Sequence, residues 1–141
     1  MDVTARSAAA DVAGLEPVLG NARRYSFFQL VDRIHRHHGD DLETSGNGEP
    51  RHERIRFSAS AGLGFPGSDV VSALSPEHEH APYQMEVSFL GLHGSQSPLP
   101  GYYLEDLAWE AGQDLGVRRH FLDFFNHRLV TLFHRAWRKY R

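Results

Sequence analysis

The sequence predicts an α+β fold, in which a small antiparallel sheet is combined with an N-terminal amphipathic helix and two C-terminal helices, the last one long. Helical apolar periodicity occurs near the start of the chain and again near its end, and two stretches between them alternate with a period of two. The 141 residues suffice for one hydrophobic core, and a hydrophobic share of 40% is typical of globular proteins. Cysteine is absent, which excludes disulfide scaffolds and thiolate metal sites.

The N-terminal amphipathic helix is predicted from about Arg23 to His37. Its apolar side chains share one side of a helix that turns by about 100° per residue, namely Phe27, Phe28, Leu30, Val31 and Ile34. Residues 1–22 are rich in alanine without a sustained period and are predicted to be a flexible leader. Residues 38–52 contain glycine, asparagine, aspartate and proline instead of an apolar period, so we expect a mobile surface loop there. A single α+β domain is therefore expected over residues 23–141.

The two alternating stretches predict half-buried strands. In the first, Ile55 and Phe57 alternate with polar residues, and the second runs from Tyr83 to Phe89. We expect the two strands to pair in antiparallel fashion, because the link between them is rich in loop residues and contains no helical crossover. A further short extended piece is expected at Val70–Leu74.

Two helices are predicted after the sheet, one from about Tyr102 to Leu115 and one from about Val117 to Lys139, separated by Gly116. Apolar residues fill about half the circumference of the last helix, whereas packing on one core needs a stripe of somewhat over 100°. We therefore expect this helix to be half core and half interface; the alternative is a fold that wraps it more fully. Asn126 lies inside the apolar arc, so we expect its amide to have hydrogen-bond partners.

The charge of the chain is unevenly distributed. Residues 118–141 contain seven cations and one anion, a net charge of +6, and the overall charge of −3 leaves −9 for the remainder. A nucleic-acid partner is not expected, because these cations flank a broad apolar arc instead of polar side chains that read base edges. A membrane-surface helix stays open as an alternative. No apolar run is long enough for a membrane span, so direct membrane insertion is not expected.

Ten histidines raise the alternative of a metal-binding protein. Three of them, His120, His127 and His134, recur every seven residues on the polar arc of the last helix, which we expect to be solvated. A separation of about 10.5 Å along the helix prevents two of them from sharing a metal ion. The chain also lacks a phosphate-binding loop, a G-x-S-x-G elbow and an H-E-x-x-H motif. We therefore expect no enzyme activity, catalytic residue, metal or cofactor.

Three segments of the chain form a further pattern: RRYSFFQLVDRI at residues 23–34, FLGLHGSQSPLPGYYLEDL at residues 89–107 and FLDFFNHRLVTLFHRAWRKYR at residues 121–141. Together, and in this order, they resemble the N-terminal part of the TssG (ImpH/VasB) family, whose members are baseplate subunits of the bacterial type VI secretion system. The resemblance runs from about Arg24 to Arg141. Within it, the run from Phe121 to Trp137 is the strongest element.

The resemblance implies a non-enzymatic structural role in a phage-tail-like baseplate wedge, at the cytoplasmic side of the inner membrane of a Gram-negative bacterium. The partners that it implies are two copies of TssF, joined partly through a helical bundle, together with TssE and TssK. Family members are about twice as long, and the part that reaches TssK is expected beyond this chain. The positions that match the family motif, and that we expect at the partner interface, are Phe121, Leu122, Phe124, Phe125, Leu129, Leu132, Phe133 and Trp137.

Overall fold

The computed structural model describes residues 14–39 and 53–140. Helix α1 covers residues 14–20 and is followed by a 3₁₀ turn at Ala22–Arg24. The remaining elements are α2 (Phe27–His37), β1 (Ile55–Ala59), β2 (Val70–Leu74), β3 (Tyr83–Val87), α3 (Gly101–Gly112) and α4 (Val117–Lys139). The predicted α+β class is confirmed, and so are the extended piece at β2 and the long last helix.

The three strands form a mixed sheet in the order β1-β3-β2. Strand β1 pairs with β3 in parallel, from Ile55 opposite Tyr83 to Ala59 opposite Val87. The predicted antiparallel pairing of these two strands is therefore wrong. The physical reason is β2, which is antiparallel to β3. The chain reverses direction once before β2 and once after it, so β3 returns parallel to β1 and occupies the centre of the sheet.

One side of the sheet packs against α1 and α2. In β1 and β3 the side chains at alternate positions are buried, and the apolar side of α2 covers them. Ring contacts join the layers, with the Phe27 ring 5.5 Å from that of Phe57 and 5.0 Å from that of Phe89. The core thus lies between the sheet and the N-terminal helices, as the apolar period of α2 predicts.

The N-terminal boundary of the domain differs from the prediction. Residues 14–22, which the sequence assigns to a flexible leader, form α1 and the 3₁₀ turn, and Leu15 is only 3% exposed. Leu15 and Leu19 are four positions apart, so both lie on the side of α1 that reaches the core. Two apolar residues are too few to reveal a helical period in the sequence. Residues 1–13 of the predicted leader, and residues 40–52 of the predicted loop, lie outside the described residues.

Helix α2 begins at Phe27 because Ser26 and Gln29 form a capping box. The Ser26 hydroxyl oxygen accepts the Gln29 N–H at 3.3 Å, and Gln29 Oε1 accepts the Ser26 N–H at 3.2 Å. These bonds satisfy two donors that a helix start would otherwise leave unpaired. The local chemistry thus sets the boundary four residues later than the apolar pattern predicts.

Candidate protein-docking surface

The long helix α4 contacts β1 mainly through polar side chains. The residues that face inward, here called the inner stripe, recur at helical spacing: Asp123, Asn126, His127, Val130 and His134. Asn126 is 0% exposed, and Val130 is the only aliphatic member of the stripe. The expectation that the three histidines on the polar arc are solvated is therefore wrong for His127 and His134, whereas His120 is exposed.

The inner stripe provides hydrogen-bond acceptors for the edge of β1 that does not pair with β3. The Phe57 N–H donates to His127 Nδ1 at 3.0 Å, and the Ala59 N–H donates to Asp123 Oδ1 at 3.0 Å. Two residues along a strand rise by about 6.6 Å, and four residues along a helix rise by about 6 Å. The pair of acceptors therefore matches the pair of donors in spacing, and α4 takes the place of a neighbouring strand.

Asp123 is the centre of this contact. Its Oδ1 atom accepts the Ala59 N–H and the Asn126 side-chain amide, and it lies 3.0 Å from His93 Nε2. Because a carboxylate oxygen only accepts, His93 Nε2 carries the hydrogen. Burial of the carboxyl group opposes ionisation, but the hydrogen bonds from His93, Ala59 and Asn126 outweigh it and hold the pKa of Asp123 below its usual value.

Asn126 connects the helix to the turn that follows β3. Its side-chain oxygen accepts the Leu92 N–H at 2.8 Å, while its side-chain nitrogen donates to Asp123. The expectation that this buried amide has partners is confirmed. The turn itself approaches β1 closely at Gly94, where φ is +88° and an added Cβ atom would lie 2.0 Å from the carbonyl oxygen of Ser60. Glycine is therefore required for His93 and Leu92 to reach α4.

Two histidines of α4, His127 and His134, contact β1 and α2 through their rings. His127 Nδ1 accepts a hydrogen bond from β1, so its Nε2 atom carries the hydrogen and donates to Glu53. His134 lies edge-to-face against Phe27, with ring centroids 6.0 Å apart. Burial, reinforced by the charges of His35 and Arg138 and opposed by Asp32, lowers the pKa of His134 to about 4. Both histidines thus contribute to the packing of α4 against the rest of the domain.

The opposite side of α4 exposes a continuous set of large apolar side chains. We call it the outer face; its members are 42 to 74% exposed and comprise Phe121, Phe124, Phe125, Leu129 and Leu132. Their rings contact one another, with Phe125 centroids 5.4 Å from those of both Phe121 and Phe124. Helix α3 exposes further apolar side chains, among them Tyr102, Tyr103 and Trp109. Contiguous apolar surface of this kind is typical of protein interaction sites.

The eight residues expected at the interface do not all have the same environment. Five form the outer face, and Phe133 is also exposed, but its ring contacts Phe28 and Phe89 at 5.7 Å. Leu122 is half-buried, and half-buried Trp137 stacks on Phe28 with centroids 4.0 Å apart. Phe133 and Trp137 therefore link α4 to the core, whereas the ring contacts of the outer face in the described part of the chain are among its own members.

A catalytic or metal site finds little support in the described residues. The His93–Asp123 pair resembles the acid–base half of a catalytic triad, and His93 also borders a cleft of about 380 Å³ that several serines line. However, within the described residues Nδ1 of His93 is buried without a hydrogen-bond partner, so no hydroxyl group is positioned for activation. No group of three or more potential metal ligands occurs in residues 14–39 and 53–140.

The sequence pattern did not indicate His93 or the role of the inner stripe. His93 lies in an irregular turn, where no periodicity reports burial. The one available signal was its place in G-L-H-G, a segment with glycines at both ends. None of the helices in the described part of the chain combines the length and the apolar character that crossing a membrane requires.

Comparisons with known proteins identify one family. The family model described as "Type VI secretion, TssG" matches residues 21–141. No curated protein and no solved structure matches the chain. The match covers every helix and strand from the 3₁₀ turn onward, including the inner stripe and the outer face.

Proposed function

Because the chain belongs to the TssG family of type VI secretion components, we propose that it is a structural subunit of the baseplate wedge and that the outer face of α4 docks on TssF. In this role the chain catalyses no reaction and needs no cofactor. Its task is to hold an apolar helical surface in a fixed position for a partner chain. Two copies of TssF per wedge, joined through a shared helical bundle, are the partners that the resemblance implies.

The observation that carries the proposal is the orientation of α4. A helix that only covered its own sheet would turn its rings inward, but α4 is anchored by polar side chains and exposes Phe121, Phe124 and Phe125. Burial of each such ring removes about 150–250 Å² from water. At about 25 cal/mol per Å², covering several rings favours association by several kcal/mol before the cost of docking is subtracted.

The arrangement of charge favours a protein partner over a lipid surface. Arg118 donates to Glu110 at 2.8 Å, and Arg119 lies 3.7 Å from Glu86. Guanidinium groups that are engaged by carboxylates of the same chain are less able to meet lipid phosphates than the free cations of a membrane-surface helix. A peripheral membrane role is therefore the weaker candidate, and flotation with anionic liposomes tests it directly.

We further propose that TssE and TssK belong to the same assembly, at the cytoplasmic side of the inner membrane. The outer face is assigned to TssF.

Co-expression with tagged TssF tests the proposal. The wild-type chain is expected to co-purify with TssF, and a Phe121→Asp, Phe125→Asp double variant is expected to lose TssF. Phe65→Asp is the matched control, because Phe65 is 99% exposed on the loop after β1 and lies outside the outer face. Retention of TssF by a folded double variant, or equal loss in the control, would contradict the assignment.

A further inference from the structure

We propose that Asp123 and His127 are positioning residues that determine which side of α4 is offered to a partner. The partner itself is that of the proposed function, on which this inference rests. Neither residue belongs to the outer face. Their hydrogen bonds to Ala59 and Phe57 act on docking only through the rotation of the helix about its axis.

Apolar burial by itself would favour a different rotation of α4. The inner stripe contains one aliphatic side chain, Val130, whereas the outer face contains three phenylalanines and two leucines. An amphipathic helix normally turns its larger apolar side toward the core. Helix α4 instead buries the polar inner stripe, places Phe133 and Trp137 against the core and leaves the outer face exposed, so a second interaction must contribute to its orientation.

The open edge of β1 provides that interaction. If α4 turned its rings inward, the Phe57 and Ala59 N–H groups would be covered by side chains that cannot accept hydrogen bonds, and a covered, unpaired N–H group is strongly unfavourable. The inner stripe avoids this cost, because its acceptors match the two donors in spacing. The β1 edge therefore selects the polar side of the helix.

Asp123 also fixes the helix along its axis, because it joins three segments of the chain. Its Oδ1 atom contacts Ala59 of β1, Asn126 of α4 and His93 of the turn after β3. That turn is held against β1 at Gly94, where there is no room for a side chain beside Ser60. A helix that rotated or slid would lose the contacts with Ala59 and His93 together.

The test compares a variant that removes the acceptors with one that keeps them. The double variant Asp123→Leu, His127→Leu, here called the leucine pair, lacks both acceptors. The double variant Asp123→Asn, His127→Asn, here called the asparagine pair, keeps a side-chain carbonyl oxygen at each position, close to where Oδ1 of Asp123 and Nδ1 of His127 lie. A role in packing volume alone predicts no advantage for the asparagine pair, whereas positioning through hydrogen bonds predicts that this pair restores the wild-type arrangement.

The readout is maleimide labelling of single cysteines in the isolated chain, which has no cysteine of its own. Position 124 reports the outer face, and position 130 reports the inner stripe. We expect labelling at 124 to be at least tenfold faster than at 130 in the wild-type background and in the asparagine pair. In the leucine pair we expect this ratio to fall to threefold or less while the helical circular dichroism persists.

Two results would overturn the inference. One is a leucine pair that stays folded and keeps the wild-type labelling ratio; the other is an asparagine pair that behaves like the leucine pair. If the leucine pair does not fold, the single variants His127→Leu and His127→Asn are compared by the same criterion. Because TssF is absent from the experiment, its outcome is independent of whether TssF is the partner.

Discussion

The main-chain N–H of Phe57 donates a hydrogen bond of 3.0 Å to Nδ1 of His127, which lies 70 positions later in the chain. The bond joins the open edge of β1 to the long helix α4, and the other ring nitrogen of His127 donates to Glu53. Together with the equivalent bond from Ala59 to Asp123, it places polar side chains of α4 inward. The side chains of Phe121, Phe124 and Phe125 consequently point outward, and this orientation underlies the docking proposal.

Replacement of Asn126 by alanine is expected to lower the free energy of unfolding by about 1–3 kcal/mol. The change leaves the Leu92 N–H without the acceptor that the fully buried Asn126 side chain provides. Urea denaturation followed by circular dichroism measures the loss. Gln84→Ala, at an exposed position of β3, is the control and is expected to stay within about 0.5 kcal/mol of wild type. Equal stability of the two variants would refute the role assigned to the amide.

Replacement of Gly94 by alanine is expected to destabilise the fold by more than about 2 kcal/mol, because φ is +88° there and the new Cβ atom would meet the Ser60 carbonyl oxygen at 2.0 Å. Thermal unfolding provides the measurement. Gly64→Ala is the matched control, since nothing lies within 4 Å of the place its new methyl group would occupy and its φ is not positive. A Gly94→Ala chain as stable as the control would show that the turn does not press against β1.

Acidification is expected to weaken the fold through His134. Its pKa is about 4 in the folded chain, against an ordinary value of 6.5, so between these values the unfolded chain binds more protons. Stability from this residue is therefore complete above pH 6.5 and is lost progressively as the pH falls toward 4. The total effect is about 3 kcal/mol.

Urea midpoints of the wild-type chain and of His134→Leu, measured from pH 7.5 to 4.5, isolate this contribution. The wild-type chain is expected to lose more stability than the variant across the range. Parallel curves would mean that His134 does not titrate as its burial requires.

Several elements could be predicted from the sequence because they depend on local patterns. The apolar period of α2 and the uninterrupted run of α4 sufficed for both helices, and the alternation around Phe57 sufficed for β1. The family resemblance is likewise confirmed by the match over residues 21–141. Each of these features can be read from neighbouring residues without knowledge of the rest of the fold.

Other features depend on contacts that no local pattern contains. The direction of β3 relative to β1 follows from β2, which lies between them in the sequence and pairs with β3 at the far side of the sheet. The sequence did not indicate how β2 pairs. Periodicity shows that α4 has two different sides, but it does not show which side is covered. That choice depends on the N–H groups of Phe57 and Ala59, which β3 does not pair and which lie 70 and 64 positions before their acceptors on α4. The hydrogen bonds at the strand edge join residues that are distant in sequence, so the apolar pattern of α4 does not contain them.

The most direct test of the account follows the labelling of single cysteines at positions 124 and 125 before and after TssF is added, with position 65 as the control. All three positions are exposed in the isolated chain. If the outer face docks on TssF, labelling at 124 and 125 falls at least tenfold in the complex while labelling at 65 changes less than twofold. A complex in which 124 and 125 label as fast as in the free chain would contradict the central claim.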